Sequence, residues 1–336
     1  MTIANKIILH KNFRETIENL KNIGVRLPPD FSDSEMDFSA YVFPPNGDVV
    51  QNMEEIKGYK LNPKNGEFIS KQNSLFCAYD ESLKKFSSLE GTAVSISHSL
   101  IVQDQMEYIP QILLTFNFYT RAKKYIEGND FIKYSIDQDT DSKKDYISDR
   151  NIFLLENVPA NSLLLIDGPL IGGQVSSSSV TLNEELLEKN IIPLFFVKNS
   201  ASNLVISYVP ALENKYNSDL HWAFSTLKVG ERSSFFRYFD STSGRAKIFC
   251  YLKPFNSSPQ RVEMHEDTFT RNERKVKNLL DLVYYLLLVQ GNMKNPQVRL
   301  IAIAEMYARQ ALTLVDIDSM MQNSGIVPTI NQERFW

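Results

Sequence analysis

The stretch Leu163-Leu164-Leu165-Ile166-Asp167-Gly168-Pro169-Leu170 constrains the fold more than any other part of the chain. Four consecutive apolar residues read as a buried strand, and Gly-Pro stops it abruptly. The carboxylate of Asp167 then stands at the carboxyl end of a core strand, where α/β sheets place their active sites. An aspartate there also serves as a plain turn cap. A second segment bears on that choice. Ser74-Leu75-Phe76-Cys77-Ala78-Tyr79-Asp80-Glu81-Ser82 is another apolar run that ends in aspartate. Two strands far apart in sequence, each ending in Asp, can bring two carboxylates to one divalent-metal site.

Composition narrows the classes. The chain has 336 residues, 43% hydrophobic and 23% charged, as in a soluble globular protein with room for a sizeable core. Its net charge of −4 excludes a polycation that coats nucleic acid. Any positive surface for such a partner must be local. Cys77 and Cys250 lie in apolar contexts and read as buried thiols, which points to a cytoplasmic protein. His10, His98, His221 and His265 are scattered, and no Cys/His spacing suits zinc. Ile7-Ile8-Leu9 is too short for a signal-peptide core, and Leu282 to Val289 is too short to span a bilayer, so no membrane partner is expected.

Along the chain, residues 4–24 have apolar positions at helical spacing, and 25–72 read as irregular connections with short strands. Apolar runs at 74–80, 91–101 and 108–119 predict three strands of an antiparallel meander. Residues 127–145 are acidic and polar and read as a solvated loop. Asp137-Gln138-Asp139-Thr140-Asp141 lacks the glycine and glutamate that a calcium loop needs. A helix over 146–158, the strand 162–167, a polar loop at 176–179, a helix over 182–189 and a strand over 191–197 follow. Then come an amphipathic stretch at 219–227, aromatic-rich strands at 234–239 and 246–254, and helices over 271–291 and 296–314.

Four pieces, in order, resemble the NurA nuclease family over roughly residues 74–311. They are the Asp80 strand with Ser82 and the Gly91 strand after it; Ile166-Asp167-Gly168-Pro169-Leu170; Ile192 to Ser200; and Gly230-Glu231-Arg232-Ser233 leading into Arg261-Val262-Glu263. The resemblance implies an RNase H-like, PIWI-related α/β fold, a mixed sheet with flanking helices and a C-terminal helical region. It divides the chain into an N-terminal helix and extension (1–72), a nuclease domain (73–311) and a tail (312–336). It implies a Mn²⁺- or Mg²⁺-dependent nuclease acting on DNA ends, with single-strand endonuclease and 5′-to-3′ exonuclease activity. It also implies a homodimer that docks on a HerA-type hexameric ATPase. Three positions depart from the family pattern. Asn295 stands where the family has Tyr, Ile303 where it has His, and Asn199 where it has Asp.

Asp80 and Asp167 are the first candidates for metal ligands, because hard divalent ions take carboxylate oxygens. A third carboxylate is needed to balance two ions. Glu156 fits the family's Arg-then-Glu helix, with Asp149 as the alternative; either also suits a solvated helix face. Glu81 points to the opposite side of a continuing strand. Lys198 follows a buried strand and suits a scissile phosphate, or simply water. Arg232 suits a phosphate contact or an ion pair. Arg271, Arg274, Lys275 and Lys277, and separately Arg121, Lys123 and Lys124, suit a DNA channel or a solvated face. Phe235, Phe236, Tyr238 and Phe239 suit base stacking, a core or an interface. The rival function is a non-catalytic RNase H-like adaptor on the same kind of ATPase; a third is an RNase H-like enzyme acting on RNA.

Overall fold

The structure is a computed structural model. It describes residues 49–329, apart from 73–74, 105–106, 126–131, 171–175, 199–201, 210–211, 213–214, 242–243 and 315. The helix expected over 4–24, and Asn199 with Ser200, lie outside the described residues.

The parallel centre of the sheet consists of β3 (Leu75–Ser87), β7 (Ser162–Asp167) and β8 (Ile192–Val197), joined side by side. On one flank β3 continues into the antiparallel meander β4 (Thr92–Asp104) and β5 (Glu107–Thr120), with short β6 (Ile132–Tyr134) beyond. On the other, β12 (Gln260–His265) pairs antiparallel with β8, followed by β11 (Arg245–Lys253), β10 (Phe236–Asp240) and β1 (Val49–Asn52). β2 (Tyr59–Lys60) and β9 (Glu231–Arg232) attach to β11 beside this path. A three-stranded meander followed by two parallel strands, each reached through a helix, is the RNase H-like arrangement. The crossover helices are α2 (Gln138–Asn157) and α3 (Ser176–Glu188).

Alternation along the strands sorts the core into two layers. Cys77, Tyr79, Leu164, Ile166, Phe195, Phe249 and Tyr251 face α2, α3, α4 (Leu204–Tyr208) and α5 (Asp219–Thr226). Phe76, Ala78, Leu163, Leu165, Leu194, Phe196 and Cys250 face α7 (Glu273–Gln290) and α8 (Arg299–Thr313). With both faces covered, β7 has no polar side to show, hence its unbroken apolar run.

Several expectations change. β3 does not end at Asp80 but runs on to Ser87, because β4 pairs with it from Phe76 to Ser87. The acidic stretch is not all loop. Asp137 caps α2, accepting from the Thr140 amide at 3.1 Å, and Asp139 and Asp141 occupy the first turn, where the helix dipole favours negative charge. The polar segment 176–179 begins α3. Residues 49–70 are part of the main sheet and its cover, through β1, β2 and α1 (Pro63–Ser70). Beyond 311, α9 (Ile317–Asn323) packs Ile317 and Met321 against Phe86 and Phe118. The last two helices of the layer on β3 and β4 thus form the C-terminal helical region.

Candidate metal centre

Three adjacent parallel strands align the ends of the segment they share, β7 and β8 stopping there and β3 running on. Tyr79 pairs with Ile166, which brings Asp80 abreast of Asp167, and Asp167 pairs with Phe196, two residues before Lys198. By alternation, Asp80, Asp167 and Lys198 all project from the face that α8 covers. Asp80 lies where β3 leaves its parallel partner, and its Oδ1 accepts from the Glu81 amide at 2.8 Å. Asp167 is the last residue of β7. Gly168 then turns the chain at φ +107°, a conformation that glycine adopts without strain, and its amide bonds to the Phe196 carbonyl.

The helix α8 supplies what the strands lack. Ala304 and Ala308 are buried and let the helix approach the sheet closely, so Glu305 reaches the aspartates. One carboxylate oxygen each from Asp80, Asp167 and Glu305 lies within 4.8 Å of the others. The Lys198 ammonium donates to Asp167 Oδ2 at 2.5 Å and sits 3.5 Å from Glu305 Oε2. Arg309 pairs with the other Glu305 oxygen at 2.9 Å.

Electrostatics follow from this crowding. Burial, and after it the charge of Asp167, push the Asp80 carboxyl up to about 8, although Lys198 opposes them. Burial alone would lower Lys198; the charge and hydrogen bond of Asp167, with Glu305 and Asp80, outweigh it and hold the ammonium above its ordinary value. Three acids thus share one lysine, and Asp80 keeps its proton for want of a further positive charge among them. The cluster's donors are all carboxylate oxygens. Both facts fit a hard divalent cation such as Mg²⁺ or Mn²⁺.

The structure does not bring Glu156 to the aspartates. It is exposed in the last turn of α2, and α2 covers the opposite face of the sheet. Asp149, half-buried on the same helix, is on that wrong face too. Glu81, one residue from Asp80, points away from the cluster as expected. The sequence did carry a signal for Glu305: it is the lone acidic residue of the apolar helix 299–313, two positions after Ile303. Ile303 itself packs, partly buried, against the core, and Asn295 is in an exposed turn where its backbone amide donates to Asn292 Oδ1 at 2.9 Å.

Arg232 is enclosed rather than offered to a phosphate. It is 3% exposed, ion-paired with Glu54, and held between the rings of Tyr59 (4.4 Å) and Phe235 (4.1 Å). Phe235, Phe236 and Tyr238 are buried, with Phe236 stacked on Phe249 in the core. Arg271, Arg274 and Lys275 are exposed around the start of α7. Arg271 and Lys275 line a groove with Asn161, Ser162, Ile191 and Ile192, at the amino ends of β7 and β8. The carboxylates are at the other ends of those strands. Arg121 donates to the Ile136 carbonyl.

The opposite face holds a buried ionic group that braces the site. Fully buried Glu263 on β12 accepts from Lys247 at 2.8 Å, pairs with Arg261 at 2.7 Å, and takes the Leu170 amide on Oε2 at 2.9 Å. Arg261 reaches Ser202, which bonds to buried Asp219. Burial would raise the Glu263 carboxyl, but Lys247 and Arg261 outweigh it and keep it low. This network ties the turn after Asp167 to the sheet. It also explains why β12 escapes a hydrophobic-pattern reading: both its faces are buried, one by Val262 and Met264, the other by Arg261, Glu263 and His265.

Comparison with known proteins places this geometry. No curated protein matches the sequence. Among solved structures, the NurA nuclease from Sulfolobus solfataricus is similar, with 12% identity over 83% of this chain and 89% of that one and a TM-score of 0.49. Endonuclease V from Ciona intestinalis in complex with DNA has 11% identity over 76% and 96%, with a TM-score of 0.36. A structure of NurA with manganese has 8% identity over 77% and 95%, with a TM-score of 0.38. A family model, the NurA domain, matches residues 100–310, which contain Asp167, Lys198 and Glu305. That match spans well over half of the chain, and the chain belongs to the NurA family.

Proposed function

We propose that the protein is a divalent-metal-dependent DNA nuclease in which Asp80, Asp167 and Glu305 hold Mn²⁺ or Mg²⁺. The observation that carries this is the convergence of three carboxylates within 4.8 Å at the carboxyl ends of parallel strands, beside one lysine. A bound divalent ion supplies Lewis acidity toward a phosphodiester and lowers the pKa of water. The chain's own residues do the rest. Asp80 and Asp167 are fixed by strand register, and Glu305 closes the cluster from α8. Asp80, which holds its proton until about pH 8 in the metal-free protein, surrenders it when a cation is taken up. Lys198, half-buried beside the acids, would hold a phosphate oxygen and offset charge that develops on it. Arg271, Arg274 and Lys275 are proposed to contact backbone phosphates away from the reacting bond.

Family membership supports the finer reading: cleavage of DNA ends as a single-strand endonuclease and 5′-to-3′ exonuclease, as a homodimer docked on a HerA-type hexameric ATPase. One observation favours the second reading, a non-catalytic adaptor for such an ATPase: Asn295 and Ile303 replace the family's Tyr and His, and neither reaches the cluster.

Cleavage of end-labelled single- and double-stranded DNA with Mn²⁺, Mg²⁺ or EDTA separates these. The expected result is EDTA-sensitive cleavage by the wild type that both Asp167→Asn and Glu305→Gln abolish. Full activity in Asp167→Asn sinks the nuclease mechanism. Activity kept only in Glu305→Gln removes Glu305 from the ligand set. A folded wild type that stays silent with and without the ATPase is the adaptor.

A further inference from the structure

We infer that Ser99 is a further member of the metal centre, a positioning residue whose hydroxyl holds metal-associated water beside Asp80. The inference rests on the metal reading above. Ser99 is directly opposite Asp80 in the antiparallel β3–β4 pair, so the two side chains leave the sheet on the same face, with Cβ atoms about 5 Å apart. That face is the one α8 covers and the one from which Glu305 approaches.

Ser99 is 0% exposed, and its hydroxyl has no hydrogen-bond partner among the described residues. A buried hydroxyl without a partner is unfavourable, and an alanine at the same place would avoid the penalty. What sets Ser99 apart from other unpartnered serines of this strand is its place opposite Asp80, where a water could meet both the hydroxyl and a carboxylate. The neighbourhood is polar: Asp80 alongside, Asp167 on the next strand, and Glu305 above. A hydroxyl offers one donor and two acceptors, and a water held there has carboxylate oxygens for its remaining bonds. Groups one step out from a metal commonly govern its affinity by orienting ligands and waters.

Ser97 is an internal control. It is on the same strand and the same face, equally buried, and equally without a partner. It pairs with Ser82 rather than with a carboxylate, about 7 Å further along the strand. Any purely structural consequence of deleting a buried hydroxyl under α8 appears equally at both positions.

The test is Mn²⁺ binding by calorimetry and the Mn²⁺ electron paramagnetic resonance spectrum, on wild type, Ser99→Ala and Ser97→Ala, with thermal unfolding in EDTA beside them. Ser99→Ala is expected to lose about tenfold in Mn²⁺ affinity and to change the spectrum of the bound ion. Ser97→Ala keeps both. In EDTA both variants unfold at or above the wild-type temperature. Ser99→Ala binding Mn²⁺ within twofold of wild type overturns the inference while leaving the metal centre intact. Equal losses at Ser97 and Ser99 overturn it as well, in favour of a packing effect. A wild type that takes up no Mn²⁺ overturns the inference together with the metal reading.

Discussion

Asp80→Asn is expected to stabilise the metal-free protein while destroying its metal site. An aspartate titrates near 4 in an unfolded chain (about 3.9), and at about 8 here, because of burial and then the charge of Asp167. A group whose folded value is raised contributes fully below its unfolded value, and that contribution is lost as pH climbs through the folded one. Between about pH 4 and pH 8, ionisable Asp80 therefore opposes folding by a growing amount. At pH 7.5 the limit is about 5 kcal/mol. Water at the open side of the cluster and rearrangement of Lys198 reduce this by about half, to roughly 2–3 kcal/mol. Asparagine keeps the oxygen that accepts from the Glu81 amide, and Lys198 keeps Asp167 and Glu305. For a chain of this size the gain in Tm is about 3–4 °C. Thermal unfolding in EDTA at pH 5 and pH 8 measures it, with the gap between variant and wild type widening at the higher pH. Added Mn²⁺ closes the gap at a hundredfold excess over Kd, where the wild type gains about 2.7 kcal/mol, and reverses the order at a thousandfold excess, about 4.1 kcal/mol, while the variant gains little. An Asp80→Asn protein that is less stable than wild type in EDTA at pH 8, or a gap that ignores pH, refutes the electrostatic account.

Other perturbations test the surroundings. Arg232→Met leaves half-buried Glu54 without its ion-pair partner and with only the Phe235 amide; stability should fall by about 2 kcal/mol, read by urea unfolding, while the DNA affinity of the folded protein stays unchanged. Glu263→Gln strands Lys247 and Arg261 in the interior; a loss of about 3–5 kcal/mol is expected, with Mn²⁺ affinity falling in protein that remains folded, because the Leu170 turn loosens. Arg271→Ala with Lys275→Ala should flatten the salt dependence of DNA binding by about one unit per residue, with single-turnover cleavage of bound DNA unchanged. An unaltered slope removes both residues from the DNA contact.

The sequence by itself determined the parallel strands and the two aspartates that end their shared segment. Short apolar runs that reach Asp-Gly-Pro or Asp-Glu-Ser state both burial and position, because period and run length are local properties, although β3 runs on past Asp80 once β4 pairs with it. Lys198 was legible for the same reason. Tertiary structure alone decided what meets these residues. Which face of the sheet a helix covers depends on chain connections, so Glu156 and Asp149, plausible by spacing, ended on the wrong layer, while Glu305 arrived from a helix 138 positions after Asp167. The same limit applies to Arg232, whose partner Glu54 is remote in sequence, and to β12, whose buried charges imitate a surface strand. Local pattern records whether a side chain is inward or outward. It does not record which inward groups neutralise one another, since that depends on distances set only when the layers pack.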